Sequence, residues 1–256
     1  MKKILILALV GISAFLSAKT VKLGTSPVPM AEIFEIIKDD LKDDGVNVEI
    51  IEMSDYITPN LSLADGSIDI NAFQHIPFLE KFIEERKLEL VPAGNTLIAP
   101  LALYSKKYKS IDEIPNGATI AIPNDPTNEG RALLLFHNKG LIELKDPSNL
   151  LCTVIDIAEN PKKFQFKELE APQLPRAMED VDAAIINGGY AVDAGFSPIE
   201  DSLIIEDKDS PYINIFAVRK GDENREEIQK IVKHFQSEKV KKFILEKYKG
   251  AYVPAF

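Results

Sequence analysis

Apolar positions along the chain alternate between two rhythms. In "TVKLGTS" and "VNVEIIEM" they recur every second residue or run together, as in strands. Between these runs, Met30, Ile33, Phe34, Ile37 and Leu41 keep the i, i+3, i+4, i+7 spacing of an amphipathic helix. The order then repeats. "SIDINAF" reads as a third strand followed by a helix over 77–86, and "LELVPAG" and "APLALYS" complete a first set. A second set opens at "ATIAIP" and continues with a helix over 126–139 closed by Gly140. "FQFKELEA", a helix across "LPRAMEDV" and the strand "DAAIING" follow. Repeated strand–helix–strand order predicts an α/β fold, with parallel sheets covered by helices on both faces.

The end of the chain reads differently. "YINIFAVRK" is a strong strand, and one long helix is expected over 223–249, where isoleucines and phenylalanines alternate with Lys and Glu. Two α/β sets and a returning segment predict two lobes, the chain crossing between them near 104–110 and again near 206–211. The first lobe then comprises 19–105 plus 209–256, and the second 106–208. In such architectures ligands bind beyond the carboxyl ends of the strands, between the lobes.

The first residues change the picture. Met1-Lys2-Lys3 precedes an apolar run of 13 residues, Ile4 to Leu16, and the small residues Ser17 and Ala18. This is the form of a secretory signal over 1–18, cut after Ala18. The run is shorter than the roughly 18–20 residues that a transmembrane helix needs. "LSAK" has the outline of a bacterial lipoprotein cleavage box, but Lys19 stands where the lipid-accepting cysteine belongs. An exported, periplasmic and unlipidated protein is therefore expected. The net charge of −10 becomes −12 once Lys2 and Lys3 leave with the leader. Such a surface repels nucleic acid and anionic lipid. Cys152, the one cysteine, cannot form an internal disulfide and reads as a small buried hydrophobe.

Candidate chemistry gathers where strands end. In "AIPNDPTNEGRALLLF", Asp125 suits a helix N-cap and Pro126 the first helical position. Arg131 then lies near the helix start, where the dipole disfavours a cation. Its neighbours three and four residues away are Thr127, Asn128, Leu134 and Leu135, none of them acidic. Two partners remain open: an anionic ligand at the helix mouth, where free N–H groups favour anions, or an acid elsewhere in the fold. A guanidinium fork fits a carboxylate in two parallel hydrogen bonds.

In "INAFQHIPFL", Phe73 and His75 alternate onto one strand face and Phe78 follows at the helix start. They form a wall for an apolar or thioether side chain, or else the phenylalanines are core and His75 caps the helix. Tyr56, in "MSDYITPN", is a pocket wall or plain surface. Asn187 ends "DAAIING", and Asn214 lies between Ile213 and Ile215. Their side-chain carbonyls suit a ligand ammonium, with a turn cap the competing role for Asn187. Scattered histidines, the absence of a P-loop, G-x-S-x-G or G-x-G-x-x-G motif, and unpaired carboxylates point to no catalytic residue, metal or cofactor.

"SDYITPN", "NAFQHIPFL", "AIPNDPTNEGRALLL", "DIAENP", "ELEAPQLPRA", "INGGYA" and "EDKDSPYINIFAV", in this order, resemble the NlpA/MetQ family of substrate-binding proteins of bacterial methionine ABC importers. The resemblance covers nearly all of 19–256. It implies a type II periplasmic-binding-protein fold, two α/β lobes joined by two crossover segments with the ligand cleft between them. It also implies a monomer that reaches the membrane only through the permease and ATPase subunits of an importer. Carried over by motif, Arg131 holds the α-carboxylate, Asn187 and Asn214 meet the α-amino group, and Tyr56, Phe73, His75 and Phe78 enclose the side chain. Phe78 stands where family members often have tyrosine, so a hydroxyl contact is lost. L-methionine is the leading expectation. Another amino acid, a methionine-containing dipeptide, or a periplasmic enzyme acting on a small carboxylate are the alternatives.

Overall fold

The computed structural model describes residues 18–207 and 210–256, so all of the expected leader except Ala18 lies outside it. Strand β1 (Lys19–Thr25) is followed by α1 (Glu32–Asp43), β2 (Val46–Glu52), α2 (Thr58–Ala64), β3 (Ile70–His75), α3 (Ile76–Arg86), β4 (Leu90–Asn95) and a short β5 (Leu97–Ile98). The second lobe contains β6 (Ala102–Tyr104), β7 (Thr119–Pro123) and α4 (Pro126–Asn138). It continues through the small pair β8 (Glu143–Leu144) and β9 (Ile157–Glu159) to β10 (Gln165–Leu169), α5 (Leu174–Ala177), β11 (Ala183–Ile186), α6 (Gly188–Asp193) and β12 (Ile204–Ile205). The chain returns as β13 (Asn214–Arg219), α7 (Glu226–Phe235), α8 (Glu238–Tyr248) and β14 (Val253–Pro254).

Two five-stranded sheets result, ordered β2-β1-β3-β13-β4 and β10-β7-β11-β6-β12. In each, four strands run in one direction and the fourth in order, β13 in one and β6 in the other, runs against them. Both fourth strands are entered directly from a crossing, β6 after β5 and β13 after β12. The period-two alternation of strands distributes the cores. In β13, Phe216 and Val218 pack with α1, α7 and α8 residues, while Ile215 and Ala217 pack with Leu63 and Leu79 on the other face. In β11, Ala183 and Ile185 face Leu133 and Phe136, and Ala184 and Ile186 face Leu174 and Met178. Each lobe thus buries both faces of its own sheet.

Three expectations need correction. "APLALYS" does not end the first lobe: β6 bonds to β11 and β12, so the first crossing lies at 99–101, before Tyr104. Extended apolar sequence gives no hint of which sheet it will join. The long terminal helix is two helices, because Ser237 turns to β geometry and its side chain accepts the Val240 N–H at 3.4 Å, capping α8. The helix across "LPRAMEDV" is only the single turn of α5, because the chain turns out of it after Ala177, whose carbonyl accepts the Asp180 N–H at 2.9 Å. Cys152 is fully buried, as a small hydrophobe should be.

Candidate functional site

A cleft between the lobes encloses about 890 Å³ of empty space, part of it open to solvent. All seven residues nominated from the sequence line it: Tyr56, Phe73, His75, Phe78, Arg131, Asn187 and Asn214. They arrive from the carboxyl ends of parallel strands and, for Asn214, from the start of the antiparallel strand β13. His75 closes β3 and pairs in register with Asn214, the first residue of β13. Asn187 follows β11 and precedes α6.

Tyr56 is fixed by a turn. Asp55 Oδ1 accepts the N–H groups of Ile57 and Thr58, each at 2.7 Å, which starts α2 and holds the ring toward the cleft. Its ring lies 5.8 Å from Phe73 and 5.9 Å from Phe78. From the other lobe Tyr190 approaches it to 5.1 Å and donates its hydroxyl to the Ser54 carbonyl at 2.9 Å. Four rings from two lobes therefore make one aromatic box, with Met30 and Met53 also in the lining.

His75 performs the capping role that the sequence left as an alternative. Its Nδ1 accepts the Phe78 N–H at 3.1 Å, which requires the proton on Nε2. Nε2 then donates to Asn128 Oδ1 at 3.2 Å, across the lobes. Burial drives the imidazole pKa down to about 3, the Arg131 charge adds to this, and the Asn128 bond opposes it. His75 is thus a neutral, oriented wall. Asn128 Oδ1 also accepts Asn187 Nδ2 at 2.9 Å. That leaves Asn187 Oδ1 buried and without a hydrogen-bond partner among the described residues.

The anion site is built differently from the expectation. Asp125 itself fills the mouth of α4, accepting the Asn128 N–H at 3.0 Å together with Thr127 and Asn128 side-chain donors. Arg131, 3% exposed, has a tertiary acid: its Nε donates to Glu206 Oε1 at 2.9 Å and its Nη2 to Glu206 Oε2. Nη2 also donates to the Ala99 carbonyl at 3.0 Å. The guanidinium lies over the Tyr212 ring, 4.4 Å from its centroid. The fork expected for a ligand is therefore taken by Glu206. Of five N–H donors, the two on Nη1 have no partner among the described residues.

Asn128, Tyr190, Tyr212 and Glu206 were missing from the sequence-derived set. Asn128 lies three residues before Arg131 on one helix face, a spacing visible in the sequence. Tyr190 follows the Gly188-Gly189 pair. Glu206 is 75 residues from Arg131 and carries no local signal.

Residues 21–256 match the family model described as NlpA lipoprotein. The chain belongs to the NlpA lipoprotein family. The D-methionine-binding lipoprotein MetQ of Escherichia coli is 44% identical over 223 residues, covering 86% of this chain and 82% of its own. That of Yersinia pestis is 48% identical over 198 residues, covering 77% and 73%. Among solved structures of such proteins, a nutrient binding protein from Burkholderia cenocepacia bound to methionine matches with a TM-score of 0.89 at 44% identity, over 92% of this chain and 100% of that one. The NlpA family fold, two mixed α/β sheets in two lobes, is the fold described above. Among the described residues no helix is long and apolar enough to cross a membrane, and no group of three or more His, Cys, Asp or Glu is placed to hold a metal.

Proposed function

We propose that the protein captures methionine in the inter-lobe cleft and hands it to an ABC importer, as a binding protein without catalytic activity. The observation that carries this reading is the Asn187 carbonyl, a buried acceptor without a partner among the described residues, in the same cleft as the Arg131 Nη1 donors. An unsatisfied buried acceptor costs about 1–3 kcal/mol unless a donor arrives. An α-ammonium supplies that donor, and an α-carboxylate suits Nη1. The aromatic box with its flanking methionine side chains suits a thioether. Asn214 completes the ammonium contacts, and Tyr56, Phe73 and Phe78 enclose the side chain with His75 as a fixed edge.

L-methionine is the first ligand to test. The names of the Escherichia coli and Yersinia pestis relatives favour D-methionine as a second reading. Calorimetric titration with both enantiomers, other amino acids and a methionine-containing dipeptide separates them; turnover of any of these would overturn the binding-protein reading. Arg131→Ala is expected to lower methionine affinity by at least about 2 kcal/mol, the typical loss when one partner of a buried charge pair is removed. Unchanged affinity removes Arg131 from the site.

The same reading places the protein in the periplasm, released after Ala18 and free of lipid, with the importer as its route to the membrane. The relatives named above are called lipoproteins, whereas in this chain Lys19 stands where the lipid-accepting cysteine of a cleavage box belongs. Intact mass of the exported protein should equal residues 19–256 without an acyl increment. An added lipid mass contradicts it.

A further inference from the structure

Glu206 is outside the cleft lining, yet its hydrogen bonds among the described residues converge on Arg131 and on the two crossings. Its carboxylate takes the Nε–Nη2 edge of the guanidinium and also accepts the Leu101 N–H at 3.2 Å and the Ser210 hydroxyl at 3.1 Å. Its own N–H donates to the Leu101 carbonyl at 2.9 Å. Ala99 and Leu101 belong to the first crossing, Glu206 and Ser210 to the second. Arg131 comes from α4 in the second lobe. The side chain of Glu206 is 13% exposed, so the pair is shielded from bulk water.

A free guanidinium meets a carboxylate best through two parallel N–H bonds along one edge. Here one edge is held by Glu206, and the outer Nη2 hydrogen is held by Ala99. Both anchors are backbone-supported at the crossings, and the Tyr212 ring underneath fixes the plane. The rotational freedom of a long arginine side chain is thereby removed before any ligand contact, which lowers the ordering cost of binding.

We propose that Glu206 is the positioning residue for carboxylate recognition: it fixes Arg131 so that only Nη1 is offered to the ligand. Recognition of the carboxylate is then through one nitrogen, and it is tied to the geometry of both crossings. Replacing Glu206 by Gln keeps an acceptor for Nε but sets an NH2 group against Nη2. The guanidinium then loses its fixed plane although the site becomes more positive. If charge alone governed binding, affinity would rise; if orientation governs, it falls.

This inference rests on the amino-acid reading of the cleft, and the test separates the two. Methionine and methioninamide, which lacks the carboxylate, are titrated against the wild-type protein, Arg131→Ala and Glu206→Gln, with competition titration for the weaker ligand. Glu206→Gln is expected to lower methionine affinity about tenfold and to change methioninamide affinity by less than twofold. Equal losses for both ligands, or methionine affinity that is unchanged or improved, overturn the positioning role. If Arg131→Ala loses affinity and Glu206→Gln does not, only the Glu206 role falls. If neither loses affinity, the site reading falls with it. Should Glu206→Gln fail to fold, Glu206→Asp carries the same test, because it keeps the charge while drawing the carboxylate back by one methylene. It is expected to weaken methionine several-fold with methioninamide little changed, and unaltered methionine affinity overturns the proposal.

Discussion

His75 and Glu129 are buried titratable residues whose effects on stability oppose each other. Burial holds the His75 pKa at about 3 against an ordinary 6.5, so below pH 6.5 the unfolded chain binds a proton that the native state refuses. Its contribution is full above pH 6.5 and is lost as pH falls toward 3. Glu129, on α4, has a pKa raised from 4.5 to about 7, first by burial and then by Glu168, with the Val154 N–H opposing. Between pH 4.5 and 7 the native state therefore holds a proton that the unfolded chain has released, and stability falls as pH rises. The two slopes cancel between about pH 4.5 and 6.5, each being worth at most about 1.4 kcal/mol per pH unit. Glu129→Gln keeps the acceptor for Val154 and removes one slope. Denaturant titrations should show a nearly flat wild type in that window and a variant that gains stability as pH rises. Parallel profiles would rule the account out. At this scale the sequence was informative about which residues meet: Tyr56, Phe73, His75, Phe78, Arg131, Asn187 and Asn214 line one cleft. It was silent on Glu206, because an ion pair spanning 75 residues depends on the fold and not on any helix or strand period.

Elements were legible where their own residues decide them. α4 begins at Pro126 after an Asp125 cap and ends before Gly140, whose φ of 71° closes it, all written in local sequence. The same helix holds one feature with a tertiary cause: a Cβ on Gly130 would lie 2.3 Å from the Leu150 carbonyl oxygen. That close approach packs the 150–152 segment on the helix and puts Cys152 Sγ 3.5 Å from the Gly130 carbonyl. The break between α7 and α8 is hidden in the sequence because the polar run Gln236 to Lys239 reads as the exposed face of one continuous helix. An apolar period does not weigh one capping serine against the helix-compatible residues on either side of it. β6 was assigned to the wrong lobe for a related reason. Its residues are buried on both faces, as a strand in either sheet would be, and only the antiparallel pairing with β11 decides its place.

At the scale of the whole molecule, the two lobes are stabilised separately and joined lightly. Each has its own apolar clusters on both sheet faces. Across the cleft, the hydrogen bonds among described residues include His75 to Asn128 and Tyr190 to Ser54. Closure of such a pair is a hinge motion about the crossings. A bond made only when the lobes meet strengthens ligand retention without strengthening either core. Tyr190 permits a clean separation, since phenylalanine keeps the ring 5.1 Å from Tyr56 and deletes only the hydroxyl that reaches Ser54. One neutral hydrogen bond contributes about 0.5–1.5 kcal/mol net. Tyr190→Phe is therefore expected to weaken methionine roughly two- to tenfold, mainly through faster dissociation, as is usual for changes within one interface. The unfolding free energy of the protein alone should stay within about 0.5 kcal/mol of the wild type, the range of surface substitutions. Stopped-flow dissociation and denaturant titration measure the two quantities independently. A large loss of stability would make the bond part of a core, and an unchanged dissociation rate would remove it from closure. Either result would move control of the cleft from the lobe contacts to the crossings, where Arg131 is held by Glu206.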